Sequence, residues 1–304
     1  MGLMSFGASA NFDSNIPSPC VPLRSADDDP HIEFWSSSSP INYVTANDTP
    51  YAHNEVAQWG VASRAERDEA GFESSIEKLC SDALAEVRAA GFPHLLRMRN
   101  HFPGIHTQHA DLDRHQRFYI GRQRAFDRHQ VGSENELRAA TMIGTQSGDI
   151  TLNYLAARGA GEAFENPRQI SAYRYSEQYG PASPASLRSL LKHRRDVTQL
   201  DSSGTASIVG HASRHQLPNE QLDEIACNLR ALIIQASAES GIDFYLGQHA
   251  HLHVYARDSY DVPALRAPLQ ATLPTAPALF FVSDSCRRDL GIEVEAFIWS
   301  SPHV

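Results

Sequence analysis

The chain has 304 residues, 41% hydrophobic and 20% charged, with a formal net charge of -10. That length suits two domains with a sizeable core, and an acidic balance without a long basic run excludes a protein that tracks a phosphate backbone. Lys78 and Lys192 are its only lysines, so nearly all the positive charge is arginine, the planar cation suited to bidentate carboxylate contacts. A small anionic substrate fits this composition.

Residues 1–30, with Pro17, Pro19, Pro22 and the run Asp27-Asp28-Asp29-Pro30, read as an extended lead-in. A serine loop at 36–39 precedes Ile41-Asn42-Tyr43-Val44 and opens an N-terminal domain expected over 31–154. Within it, Ile76, Leu79, Ala83, Leu84 and Val87 recur at helical spacing and predict a helix over 74–90; 117–126 and 139–143 read as strands. The C-terminal domain, 155–304, reads as β, α, β, α, β, β. A strand at 204–210 is followed by a helix over 219–237, whose Leu222, Ile225, Ala226, Leu229, Leu232, Ile233 and Ala236 form one apolar stripe. Then come a strand at 248–256, a short helix at 262–272, a strand at 278–282 and a last strand at 290–298. Helices on one face of a mixed sheet give an α+β fold class.

The last strand carries the leading catalytic candidate. Ile292, Val294, Ala296 and Ile298 alternate with Glu293 and Glu295, which puts both carboxylates on the face away from the core. On this pattern alone Glu293 reads first as an ordinary solvated carboxylate and second as a general acid. His249, His251 and His253 share one strand face, but neighbours there lie ~7 Å apart, awkward for one tetrahedral ion, so no metal centre is expected. Cys20, Cys80, Cys227 and Cys286 form no CxxC pair and suit reduced thiols, with Arg287 and Arg288 placed to depress the pKa of Cys286. Tyr173, Tyr175 and Tyr179 concentrate phenols beside a turn, either an aromatic cluster or a pocket wall. No stretch approaches the ~18 apolar residues of a membrane span, and the start lacks the basic and apolar regions of a secretory signal, so a cytoplasmic protein is expected.

The order of elements from Thr205 to Phe297 and the closing Ile292-Glu293-Val294-Glu295-Ala296 resemble the Rid enamine and imine deaminase fold, which carries a functional glutamate on that strand. Rid deaminases have Pro-Ala-Arg where this chain has Pro277-Ala278-Leu279, so the deaminase chemistry loses its carboxylate anchor. A closer resemblance is to the chorismatase family, carried by Glu165-Asn166-Pro167-Arg168-Gln169-Ile170-Ser171-Ala172-Tyr173, Tyr179-Gly180-Pro181, Gly204-Thr205-Ala206-Ser207-Ile208-Val209-Gly210-His211, His253-Val254-Tyr255-Ala256-Arg257, and Cys286-Arg287-Arg288-Asp289-Leu290 through Glu293. That resemblance implies two Rid-like, chorismate-mutase-like α+β halves and an enzyme that cleaves chorismate to pyruvate and a ring product. Ala206 and Cys286 match the type that forms 3-hydroxybenzoate, some members of which also release 4-hydroxybenzoate. The alternatives are the hydrolytic type, giving a dihydroxycyclohexadiene carboxylate, and a Rid-like small-acid deaminase or ligand-binding protein.

Chorismate and the pair hydroxybenzoate plus pyruvate have the same atoms, so the expected reaction needs no cofactor and no metal. The resemblance implies catalytic roles for Glu293 and Cys286, and substrate contacts from Tyr175, Tyr179, Arg188, Ala206, Arg257 and Arg266. Where many members have Tyr-Gly-Pro-Arg, this chain has Tyr179-Gly180-Pro181-Ala182, which implies a rearranged carboxylate clamp, weaker binding or a different subgroup. Chorismate is the expected partner, with no nucleic acid and no membrane; monomer and homotrimer both remain open.

Overall fold

The computed structural model describes residues 1–7, 16–27, 29–46, 49–65, 69–131, 139–171, 174–175, 189–193 (backbone), 198–259 and 261–300. It divides into two compact units, Met1–Leu137 with Met142–Ala160, and Arg138–Thr141 with Gly161–Val304. The fold is α+β, with β-sheet and two α-helices in each unit among the described residues. The expected division at 154 falls inside the strand Ile150–Ala157 instead of between units.

In the first unit the opening residues depart from a bare lead-in. Gly2–Phe6 is a fully buried strand, antiparallel to His31–Trp35, because Met4 and Phe6 are apolar enough to enter the core. The main sheet includes Asn42–Ala46, Thr49–His53, Ala57–Arg64, Ile150–Ala157 and His94–Pro103 as successive neighbours. Helix α1, Phe72–Ala89, buries the predicted stripe of Ile76, Leu79, Ala83, Leu84 and Val87.

The strand expected at 117–126 is instead helix α2, Arg114–Arg128. Asp113 accepts from the Gln116 backbone N–H while the Gln116 side chain accepts from the Asp113 N–H, a capping box that starts the helix. Its buried stripe contains arginines as well as Phe118, Ala125 and Phe126. Arg117 is buried because Glu69 and Glu73 neutralise it, and Arg122 lies over the Phe118 and Tyr119 rings. An apolar count omits those two positions, and the Phe118-Tyr119-Ile120 run then imitates a strand.

In the second unit the strands lie in the order Glu162–Phe164, Ser189–His193, Thr198–Asp201, Ile292–Trp299, Ala250–Ala256, Ala278–Val282, with Thr205–Ala206 also pairing to Ile292–Trp299. The pairs are antiparallel except the one between Ala250–Ala256 and Ala278–Val282, so the sheet is mixed. The strand expected over 204–210 is two short pieces, Thr205–Ala206 and Ile208–Val209. Helix α3, Pro218–Ser240, starts at a proline and stops where Gly241 takes φ 70. Helix α4 spans Asp261–Thr272. Ile292, Val294, Ala296 and Ile298 are fully buried with the apolar stripe of α3, which packs on their strand. Glu293, Glu295 and Phe297 therefore project from the other face.

Candidate active site

That other face is not solvent. Glu293 is 5% exposed and Glu295 0%, which removes the reading of Glu293 as a solvated surface carboxylate. Strand register lines up the neighbours: Ala206 and Tyr255 each pair with Glu293, and Tyr255 pairs in turn with Phe281. Two residues along, His253 pairs with Glu295.

The two carboxyls are treated very differently. Glu295 accepts from the Tyr255 hydroxyl at 2.7 Å and from the Thr141 hydroxyl, and its Oε2 lies 3.7 Å from His253 Nδ1. Three polar groups thus converge on it and favour its anion. Among the described residues, no hydrogen-bond donor reaches the Glu293 carboxyl. Burial, and then the negative charge of Glu295, push its pKa from the ordinary 4.5 up to about 8. At neutral pH that shift favours the protonated form of the carboxyl at 293. Neighbouring carboxyls whose environments separate their pKa values are a frequent arrangement for acid catalysis.

Gly204 creates the space for that acid. A Cβ on residue 204 would lie 1.7 Å from Glu293 Oε1, so any side chain there collides with the carboxyl. Cys286 borders the same group. Its thiol is pushed up to about 12 by burial and next by the charge of Glu293, with Arg287 offsetting only part, so the expected depression by the arginines is reversed. A thiol so shifted stays protonated at neutral pH, which disfavours a nucleophilic role.

A model of the family described as "Chorismatase FkbO/Hyg5-like, N-terminal" matches residues 33–156. A chorismatase from Streptomyces hygroscopicus is 29% identical over 289 residues, covering 93% of this chain and 83% of that protein. A 3-hydroxybenzoate synthase from the same organism is 33% identical over 219 residues, covering 68% of this chain and 64% of the relative. A crystal structure of a chorismatase superposes with a TM-score of 0.89 at 28% identity, covering 98% of this chain and 92% of that one. Over nearly its whole length the chain is thus similar to chorismatases in both sequence and fold.

Against that chorismatase fold the remaining expected residues separate clearly. Tyr175 is half-buried, with the Arg287 guanidinium 4.8 Å from its ring centroid, which ties it to the loop that carries Cys286. Ala206 is buried beside Glu293 and leaves only a methyl there. Arg257 is not an open anchor. Its guanidinium donates to Asp284 at 2.7 Å and to the carbonyls of Arg287, Arg288 and Leu290, so it clamps the loop before the Glu293 strand. Arg257 also borders a cavity of about 330 Å³ with Gln216, Gln221, Asp261 and Arg288, and neither Glu293 nor Cys286 lines it.

Arg266 lies over the ring of Phe280 at 4.6 Å. Phe280 pairs with Val254, on the helix-covered face, so Arg266 is on the opposite side of the sheet from Glu293. Tyr173, Tyr179, Gly180, Pro181, Ala182 and Arg188 lie outside the described residues. The imidazole row is broken up as well: His249 precedes its strand, and His253 is fully buried against Glu295 and the ring of Phe297. Gly204, Tyr255 and Thr141 were missed as site residues. Only Gly204, inside a stretch read as strand, carried a signal, since a glycine at such a position marks close approach of another group.

Proposed function

We propose that the chain converts chorismate to 3-hydroxybenzoate and pyruvate, with Glu293 as the general acid. The observation that carries the proposal is a buried Glu293 with a raised pKa, two residues from a Glu295 that accepts hydrogen bonds from Tyr255 and Thr141. A neutral carboxyl in a dry site can give its proton to the methylene carbon of the enolpyruvyl ether, and the resulting oxocarbenium ion then releases the ring carbon–oxygen bond. Pyruvate departs as its ketone. The adjacent ring hydroxyl closes on the vacated carbon to form an arene-oxide-like intermediate, and its proton returns to Glu293. Opening, hydrogen migration and loss of a ring proton give the aromatic acid, so no atom is gained or lost overall.

Excluding water separates this route from hydrolysis. Burial of Glu293, the small Ala206 and the neutral thiol of Cys286 all favour internal attack by the ring hydroxyl. The relative named 3-hydroxybenzoate synthase supports the same product. Arg188 and Tyr179 are proposed as carboxylate anchor and pocket wall, with Tyr175 beside Cys286; Arg257 and Arg266 are withdrawn from substrate contact because of where their guanidiniums lie. Release of 4-hydroxybenzoate as a minor product remains part of the proposal.

Purified protein incubated with chorismate should release pyruvate, followed by a coupled assay, with 3-hydroxybenzoate as the main aromatic peak on chromatography. A dihydroxycyclohexadiene carboxylate as the main product would replace this reading with the hydrolytic one, and absence of pyruvate would end both. Cys286→Ala should change the product ratio more than the total rate.

A further inference from the structure

The first unit carries a second cluster of chemistry-bearing side chains that the proposed reaction does not use. His106, Asp113 and His115 each offer a ligand atom, and those atoms lie within 4.8 Å of one another. Asp113 Oδ1 is 2.5 Å from His115 Nδ1, and the rings of His106 and His115 meet edge to face with centroids 6.3 Å apart. We propose that these three residues bind a divalent first-row transition ion, with zinc the best match to two imidazoles and one carboxylate.

The backbone brings them together before any ion arrives. Gly104 turns the chain with φ 62, and Thr107 N–H donates to the Gly104 carbonyl at 2.7 Å. Arg114 N–H then donates to Thr107 O at 3.0 Å, and His115 N–H to Ile105 O at 3.1 Å. These bonds fasten the loop that bears His106 to the first turn of α2. Asp113 is held as the N-cap of that helix, and Tyr119, one turn on, packs edge-on to His115 with centroids 5.8 Å apart.

Burial is graded across the cluster. Asp113 and His115 are buried and His106 is intermediate, with both of its ring nitrogens shielded from solvent. Donors on a tetrahedral ion with ~2.0–2.2 Å bonds stand roughly 3.3 Å apart, so Asp113 and His115, now 2.5 Å apart, part slightly while His106 draws in, shifts that side-chain rotation supplies. Three protein ligands leave one position for water. The site pins the 104–113 loop onto α2 and takes no part in the proton chemistry at Glu293. A protonated-imidazole ion pair is the competing account of the same geometry, and it predicts no metal affinity.

The test uses the full chain stripped with a chelator and titrated with Co²⁺, then with Zn²⁺, following the visible bands of cobalt and the bound metal after dialysis. One ion per chain is expected, with zinc displacing cobalt and raising the melting temperature. His106→Ala and Asp113→Asn should each weaken binding by at least the roughly 10–100-fold that loss of an outer-shell partner costs. Asn also serves as an N-cap, so Asp113→Asn removes the charge while keeping the helix start. A His249→Ala/His251→Ala variant should bind as the parent does. Substoichiometric binding by the parent would overturn the proposal, as would parental affinity in both His106→Ala and Asp113→Asn or loss of affinity in the His249/His251 variant.

Discussion

Glu86 in the first unit and Glu293 in the second are both buried carboxyls with raised pKa values, about 7 and about 8. Burial is the leading cause in each. Their surroundings differ. Glu86, on α1, receives the Tyr154 hydroxyl and the Gln58 amide, the latter at 2.7 Å, whereas no donor among the described residues reaches Glu293. Each also has a glycine that admits a polar group, Gly60 within a strand and Gly204 just before one: a Cβ at Gly60 would lie 2.2 Å from the Tyr154 hydroxyl, and one at Gly204 1.7 Å from Glu293 Oε1. The comparison shows that desolvation alone does not define an acid. A buried carboxyl with its acceptor sites filled pins two elements together, and one left bare keeps a proton to give.

Exchanging the two carboxyls should produce the largest contrast. Glu293→Gln is expected to lower the rate of pyruvate release by ~10²–10⁴-fold, the usual contribution of a positioned general acid, with an unchanged circular dichroism spectrum and melting temperature. Glu86→Ala should leave the rate per folded molecule near parental and cost ~1–3 kcal/mol in denaturant unfolding, because the buried Tyr154 hydroxyl loses its acceptor. Full activity in Glu293→Gln would remove the assigned acid.

The glycines sharpen the same contrast with a milder chemical change. Gly204→Ala drives its methyl into Glu293 Oε1 and should cost roughly 10²-fold in kcat through misplacement of the acid. Gly60→Ala presses on Tyr154 and should show as ~1–3 kcal/mol of lost stability with kcat retained. Equal kinetic damage from both would mean that the two positions are not functionally distinct.

Much of this was legible from sequence, and the exceptions have physical causes. The alternation over Ile292-Glu293-Val294-Glu295 marks a strand and its two carboxylates, and the stripe of α3 fixes which face is apolar. Alternation cannot tell the two glutamates apart. The donors that charge Glu295 come from Thr141 and Tyr255, 154 and 40 residues distant in the chain, so the distinction exists only after folding. Helix α2 was hidden because its buried stripe includes Arg117 and Arg122, whose burial depends on Glu69, Glu73 and aromatic rings that a local window does not pair with them. Arg257 could not be judged from sequence for a related reason: guanidinium donors are as readily spent on carbonyls of their own loop as on a substrate.

The pH dependence separates the pair more gently. Glu293 must be protonated to act, so the rate should be flat below its pKa of about 8 and fall above it. Its folded pKa lies above the ordinary 4.5, so its contribution to stability is complete below about pH 4.5 and is lost as pH rises through about 8. Glu86 follows the same sign, with stability lost as pH rises through about 7, but no limb of the rate profile should track it. Replacing Glu295 by Gln removes the second cause of the Glu293 shift, and the alkaline limb of the rate profile should move to lower pH. An unmoved limb would detach Glu295 from the acid.

The smallest expected effect is that of Tyr255→Phe. It deletes the 2.7 Å bond to Glu295 and leaves the ring beside Phe281 in place. A hydrogen bond to a charged group contributes ~1.5–3 kcal/mol, and a tenfold change corresponds to about 1.4 kcal/mol. With that donor gone, the proton shared by the two carboxyls spends more time on Glu295 and less on Glu293. The plateau rate should therefore fall, by roughly tenfold where Thr141 and His253 retain part of the charge, without the downward movement of the limb seen in Glu295→Gln. A profile that shifts as it does in Glu295→Gln would mean that Tyr255 acts on Glu293 directly and not by holding the charge on its neighbour.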